Sequence, residues 1–118
     1  MNDRVFETPA GVTLGPAELI AENTARNFVL QIGEAYFHGF VVRHAGGYFG
    51  YVDRCPHAGL PLAQVLDDYL TPKADLISCS WHGALFLIYS GRCVGGPCAG
   101  KSLTPWPVQL IDGHIVTA

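Results

Sequence analysis

The chain has 118 residues, 49% of them apolar, which supports one domain with a core of its own and excludes a multi-domain architecture. Charged residues make up 14%, seven Lys and Arg against ten Asp and Glu, so the formal charge of −3 leaves no polybasic face for nucleic acid. No apolar run reaches the roughly 18 residues that cross a bilayer, and Met1-Asn2-Asp3-Arg4 opens neither a basic stretch nor an apolar signal core, so the expectation is a soluble cytoplasmic protein with no membrane partner.

Along the chain, residues 1–34 hold Asp3, Glu7, Glu18, Glu22 and Glu34 against Arg4 and Arg26, whereas residues 35–118 hold five acids and five bases. Pro16 to Ala25 is predicted as a short helix, because Pro suits a first turn and Ala, Glu and Leu follow it. From Phe28 the pattern is β. Strands are predicted at Phe28 to Ile32 and Phe40 to His44, followed by a Gly46-Gly47 turn and a strand from Tyr48 to Val52, all rich in aromatic and β-branched residues. Leu76 to Ser78 and Leu85 to Tyr89 are further short strands, the second stopped by Ser90-Gly91. Asp112-Gly113 joins Val108 to Ile111 with Ile115 to Thr117 as a hairpin, and Pro105 and Pro107 keep the preceding segment irregular or at an edge. With fourteen Gly and eight Pro, the expectation is an all-β domain over residues 1–118, a small antiparallel sandwich or barrel. Two long loops interrupt it, Arg54 to Asp75 and Cys79 to Gly83, with a Gly/Pro loop from Gly95 to Gly100.

Those two loops carry the chemistry. Cys55-Pro56-His57 and Cys79-Ser80-Trp81-His82 each place a thiol and an imidazole within two or three residues of one another. If the loops converge, two sulfur and two nitrogen donors suit zinc or an iron-sulfur cluster. Four cysteines are too few for a disulfide scaffold, and a reducing compartment favours metal or redox chemistry. A zinc finger usually pairs two Cys in one half with two His in the other. Here each half contributes one of each, an order that suits two metal ions side by side, one taking both thiolates and the other both imidazoles. A Cys2His2 zinc site that only staples the loops is the alternative reading.

CxH, 21 intervening residues (58 to 78) and CxxH together resemble the Rieske two-iron, two-sulfur (2Fe-2S) family, in which two His replace two Cys on one iron. Ala58-Gly59 with Pro61-Leu62, Gly83 with Phe86, Gly91, Gly96-Pro97 and the closing Asp112-Gly113 hairpin are similar to its ferredoxin-type members, over roughly Phe40 to Thr117. The spacer is a few residues longer than usual, with Val65 to Asp75 as the insertion. The resemblance implies Cys55, His57, Cys79 and His82 as ligands of one 2Fe-2S cluster, and a third loop at Gly96-Pro97-Cys98 covering it. It also implies a monomeric one-electron carrier rather than an enzyme, taking electrons from a reductase and giving them to a terminal enzyme such as an oxygenase. A small cluster-bearing subunit of a larger reductase complex is the alternative.

Respiratory members of the family carry an extra Cys in each ligand box, joined by a disulfide, and a Ser and a Tyr that hydrogen-bond the cluster. Leu60, Trp81, Ala84 and Phe86 stand at those positions here, which implies a low reduction potential. Only 36 residues follow His82 (118 − 82), too few for a catalytic domain, and no dinucleotide fingerprint is present. Cys93 and Cys98 read as ordinary thiols, since CxxxxC is not a ligand spacing. His38, His44 and His114 read as structural, Trp106 as packing, Trp81 as core or cluster rim, and Asp67 and Asp68 as a solvated loop face. The docking face is expected to be an apolar rim of Pro56, His57, Leu60, Trp81, His82 and Pro97, with only Arg54 charged nearby.

Overall fold

The computed structural model describes residues 4–56, 62–63, 66–79, 83–98 and 100–118. Among the described residues ten strands follow in order: β1 (Arg4–Val5), β2 (Thr13–Pro16), β3 (Thr24–Ile32), β4 (Ala35–His44), β5 (Gly47–Val52), β6 (Leu76–Ser78), β7 (Leu85–Leu87), β8 (Cys93–Gly95), β9 (Val108–Ile111) and β10 (His114–Thr117). They form three sheets. β4 pairs antiparallel with β3 and β5 and parallel with β1, β10 lies between β2 and β9, and β7 lies between β6 and β8. No described helix is long and apolar enough to cross a membrane.

The β4 sheet is the middle layer, which explains why Phe40-Val41-Val42 is an unbroken apolar run instead of an alternating one. Successive side chains of a strand point to opposite faces. Phe40 and Val42 pack with Tyr51, Ile77 and Phe86 toward the β6–β8 sheet, while Phe37 and Val41 pack with Val52, Trp106 and Ile115 toward the β2–β10–β9 sheet. The Thr104–Trp106 segment closes the open edge of β5, with Val52 N donating to Thr104 O at 2.9 Å and Trp106 N to Gly50 O at 2.8 Å. Trp106 is packing, as its sequence context suggests, and its indole N–H donates to Thr8 Oγ1 at 2.9 Å.

Several sequence expectations are corrected. Pro16 to Ala25 is not a helix: Pro16 ends β2, Ala17–Leu19 make one 3-10 turn, and Thr24 and Ala25 already pair with Arg43 and Val42 in β3. Ile20 is the single buried side chain between Pro16 and Asn23, so no apolar stripe holds a helix there, and Asn23 adopts φ 62°. The predicted Gly46-Gly47 turn lies one residue earlier. Ala45 (φ 50°) and Gly46 (φ 77°) form it, and Gly47 pairs with His44. Both turn residues at positive φ match the twist of the flanking strands, and Asp112 (φ 51°) and Gly113 (φ 77°) repeat the device where the sequence announces it. β1, β2 and β8 lie outside the predicted set, and β4 begins five residues before Phe40 (40 − 35).

Candidate metal centre

Both ligand-loop cysteines leave short strands and turn directly into the core. After β5, Asp53 N donates to His38 O at 2.9 Å, which binds the start of the first loop to β4, and Cys55 follows with 0% exposure. After β6, Cys79 is 1% exposed, its N–H donates to Ala84 O at 2.8 Å, and its carbonyl accepts from Gly83 N at 3.0 Å. Those two bonds draw the ends of the second loop together, and Gly83 takes φ 70°, a conformation open to glycine without strain. His57 and His82, with Leu60 and Trp81, lie outside the described residues.

The third loop sits on the second. A Cβ placed on Gly96 (φ 82°) would come within 2.7 Å of Ala84 Cα and 3.1 Å of Gly83 O, so only glycine lets the two backbones approach. Cys93 and Cys98, which sequence spacing treats as ordinary thiols, are both buried. Burial, and then the nearness of Cys93 and Cys55, holds the Cys98 thiol well above its ordinary pKa. Cys93 Sγ donates to Gly95 O at 3.2 Å. None of the four cysteines forms a disulfide. A cleft of about 300 Å³ lined by Arg54, Cys55, Pro56, Ser102 and Thr104 opens beside the first loop.

Sequence reasoning missed Asp53. It is 4% exposed and accepts from Leu62 N at 2.9 Å, Tyr69 Oη at 2.8 Å and Asn27 Nδ2 at 3.2 Å, while its carbonyl accepts from the Arg4 guanidinium at 2.5 Å. An acid closing the apolar stretch Phe49-Gly50-Tyr51-Val52, two residues before Cys55, was the available signal. Asp67 is exposed but not simply solvated, since Oδ1 accepts from Asn27 N at 2.7 Å; Asp68 is exposed. His38 is half-buried, and its pKa is lowered by burial and then by Arg4, against a smaller opposing pull from Asp53. His44 is half-buried, and His114 is exposed with Nδ1 3.1 Å from Asp112 O.

The residues present fit an iron-sulfur group. Two buried cysteines from separate loops belong to one core cluster, and a glycine-only contact packs the third loop onto the second. Buried soft sulfur donors of this kind select iron-sulfur clusters or zinc. The fold and the paired loops thus define a small β domain whose two loops each bury a cysteine in one core. The family model of the Rieske [2Fe-2S] domain matches residues 13–111, and the chain belongs to that family. The match reaches well N-terminal of Phe40, further than the motifs alone indicate.

Solved structures show the same fold. The chain is similar to one in the complex of reduced oxygenase and oxidized ferredoxin in carbazole 1,9a-dioxygenase, with a TM-score of 0.73 and 22% identity over 94% of each chain. It is similar to the ferredoxin of carbazole 1,9a-dioxygenase from Nocardioides aromaticivorans IC177, with a TM-score of 0.71 and 16% identity over 93% of this chain and 98% of that one. A Sphingomonas yanoikuyae B1 ferredoxin gives 0.66 and 20%, over 91% and 96%. No curated protein sequence matches the chain significantly.

Proposed function

We propose that this chain is a single-domain, one-electron carrier of the cytoplasm, taking electrons from a reductase and delivering them to a terminal oxygenase or an enzyme of similar demand. The observation that carries the reading is that Cys55 and Cys79, from two separate loops, are both buried in the same core cluster, each followed in sequence within three residues by a histidine. Cys55 and Cys79 would hold one iron and His57 and His82 the other. When bound, the 2Fe-2S cluster supplies a one-electron couple. The protein's own residues do the rest. Cys55 and Cys79 are shielded from water by burial, and Gly83 and Gly96 bring the backbone of the second and third loops together. The similarity of fold to the ferredoxin of carbazole 1,9a-dioxygenase, a system in which ferredoxin and oxygenase form a complex, supports an oxygenase as the acceptor.

The test is the visible spectrum and the reduced-state EPR signal of the purified protein, with iron and acid-labile sulfide assays. Two irons and two sulfides per chain are expected. His82→Ala should abolish the Rieske-type signal; intact absorbance and iron content in that variant would defeat the assignment, and a colourless zinc protein would defeat the reading as a whole.

A further inference from the structure

Asp53 lies at the base of the first ligand loop, tied on one side to β4 and on the other to the far end of the loop. Its backbone N–H is tied to β4 through His38 O at 2.9 Å, and its Oδ1 accepts from Leu62 N, nine residues on, at 2.9 Å. Cys55 and His57 fall inside the segment these bonds close. Oδ2 faces the other way, accepting from Tyr69 Oη at 2.8 Å and from Asn27 Nδ2 at 3.2 Å. Tyr69 Oη also accepts from Asn27 Nδ2 at 2.7 Å, so the three side chains form a closed triangle. Tyr69 stands on the inserted segment and stacks on Phe40 of β4 with ring centroids 4.2 Å apart and planes at 8°. Burial and the Asp53 carboxylate raise the Tyr69 pKa, which keeps its hydroxyl protonated and able to donate.

We propose that Asp53 is a positioning residue for the cluster: its carboxylate clasps the first ligand loop shut at Leu62 and fixes the closed loop to β3 and to the insertion through Asn27 and Tyr69. The inference rests on the ligand assignment proposed above. A buried carboxylate is costly unless its oxygens are satisfied, and three donors satisfy this one. A loop closed by such bonds has fewer conformations to lose when its Cys and His bind metal, and partners outside the ligand shell set ligand geometry in metal sites generally. The insertion thereby acquires a task, since it supplies the tyrosine that holds the clasp from outside.

The experiment compares wild-type, Asp53→Asn, Asp53→Ala and Tyr69→Phe holoproteins by the g-values of the reduced state and by the rate of iron loss to a chelator. Both Asp53 variants remove the same charge, but only Asn keeps an oxygen for the Leu62 amide. Asp53→Ala is expected to shift and broaden the g-values and to lose iron about tenfold faster. Asp53→Asn should keep near-wild-type g-values and stay within about threefold in rate, and Tyr69→Phe, which leaves the charge in place, should fall between wild type and Asp53→Ala. Identical behaviour of Asp53→Asn and Asp53→Ala would overturn the clasp in favour of charge alone. Should Asp53→Ala not accumulate with a cluster, Tyr69→Phe decides, and wild-type g-values and release rate in that variant overturn the proposal. A wild-type protein without a Rieske-type signal would overturn the ligand assignment and this inference with it, whereas a normal wild-type signal with unmoved variants overturns this inference alone.

Discussion

Ala84 shows how much of the chemistry rests on single side chains. It is fully buried just before β7, its carbonyl accepts from Cys79 N at 2.8 Å, and the sequence resemblance sets it where respiratory members of the family carry a serine hydroxyl. A methyl group there donates nothing. Phe86, also fully buried, replaces a second hydroxyl two residues on. A hydrogen bond to cluster sulfur stabilises the reduced, more negative state, so its absence lowers the potential. The expected midpoint potential lies in the lower half of the family range of about −150 to +300 mV, and Ala84→Ser should raise it. Protein-film voltammetry checks both, and a wild-type value in the upper half would rule out the low-potential reading.

At the scale of elements, β5 is held by what approaches its edge. Gly50 lies opposite the Trp106 backbone, and a Cβ added there would collide with Trp106 O and come within 3.3 Å of Val108 Cγ1. Its φ is not in the left-handed region, so the need for glycine is purely one of space. Gly50→Ala must push the 104–106 segment away from β5, loosening Trp106 from its contacts with Phe28 and Phe37. The cost expected for overpacking at such a contact is about 2 kcal/mol. Urea denaturation should show a lower midpoint with an unchanged slope; an unchanged midpoint would mean that the segment yields freely.

The charge of the whole molecule is arranged differently from its order along the chain. The acidic excess lies in residues 1–34, but the fold carries Arg4 of that stretch to the ligand-loop base, where Arg4 and Arg54 sit 5.5 and 5.0 Å from the ring of the exposed Phe6. Arg54 is therefore not the only cation near the first loop. Arg4 is partly offset by Asp53, which leaves Arg54 as the main charge a partner meets there. One exposed cation steers weakly and is screened beyond ~8 Å at physiological salt. Electron transfer to an oxygenase acceptor is expected to slow less than tenfold between roughly 20 and 500 mM salt, with Arg54→Gln removing most of that dependence. Stopped-flow measurement decides it, and a larger fall would show that other exposed charges govern the encounter.

Whatever depends on neighbours in the chain was legible in the sequence. The Cys55 and Cys79 boxes stand out because each donor pair lies within one short loop, and the Asp112-Gly113 turn and the β6 and β9 strands follow from two to four adjacent residues. Partners distant in sequence were decided only by the tertiary structure. β1 and β2 have no strand signal of their own, and they form because β4 and β10 offer unpaired edges, while Thr117 Oγ1 reaches Pro9 O across 108 residues. Asp53 reads as a loop acid until Leu62, Tyr69 and Asn27 close around it. The proposed helix at Pro16 failed for the same reason: helix propensity is worth tenths of a kcal/mol per residue, and ladder hydrogen bonds with burial of Ile20 and Ala25 outweigh it.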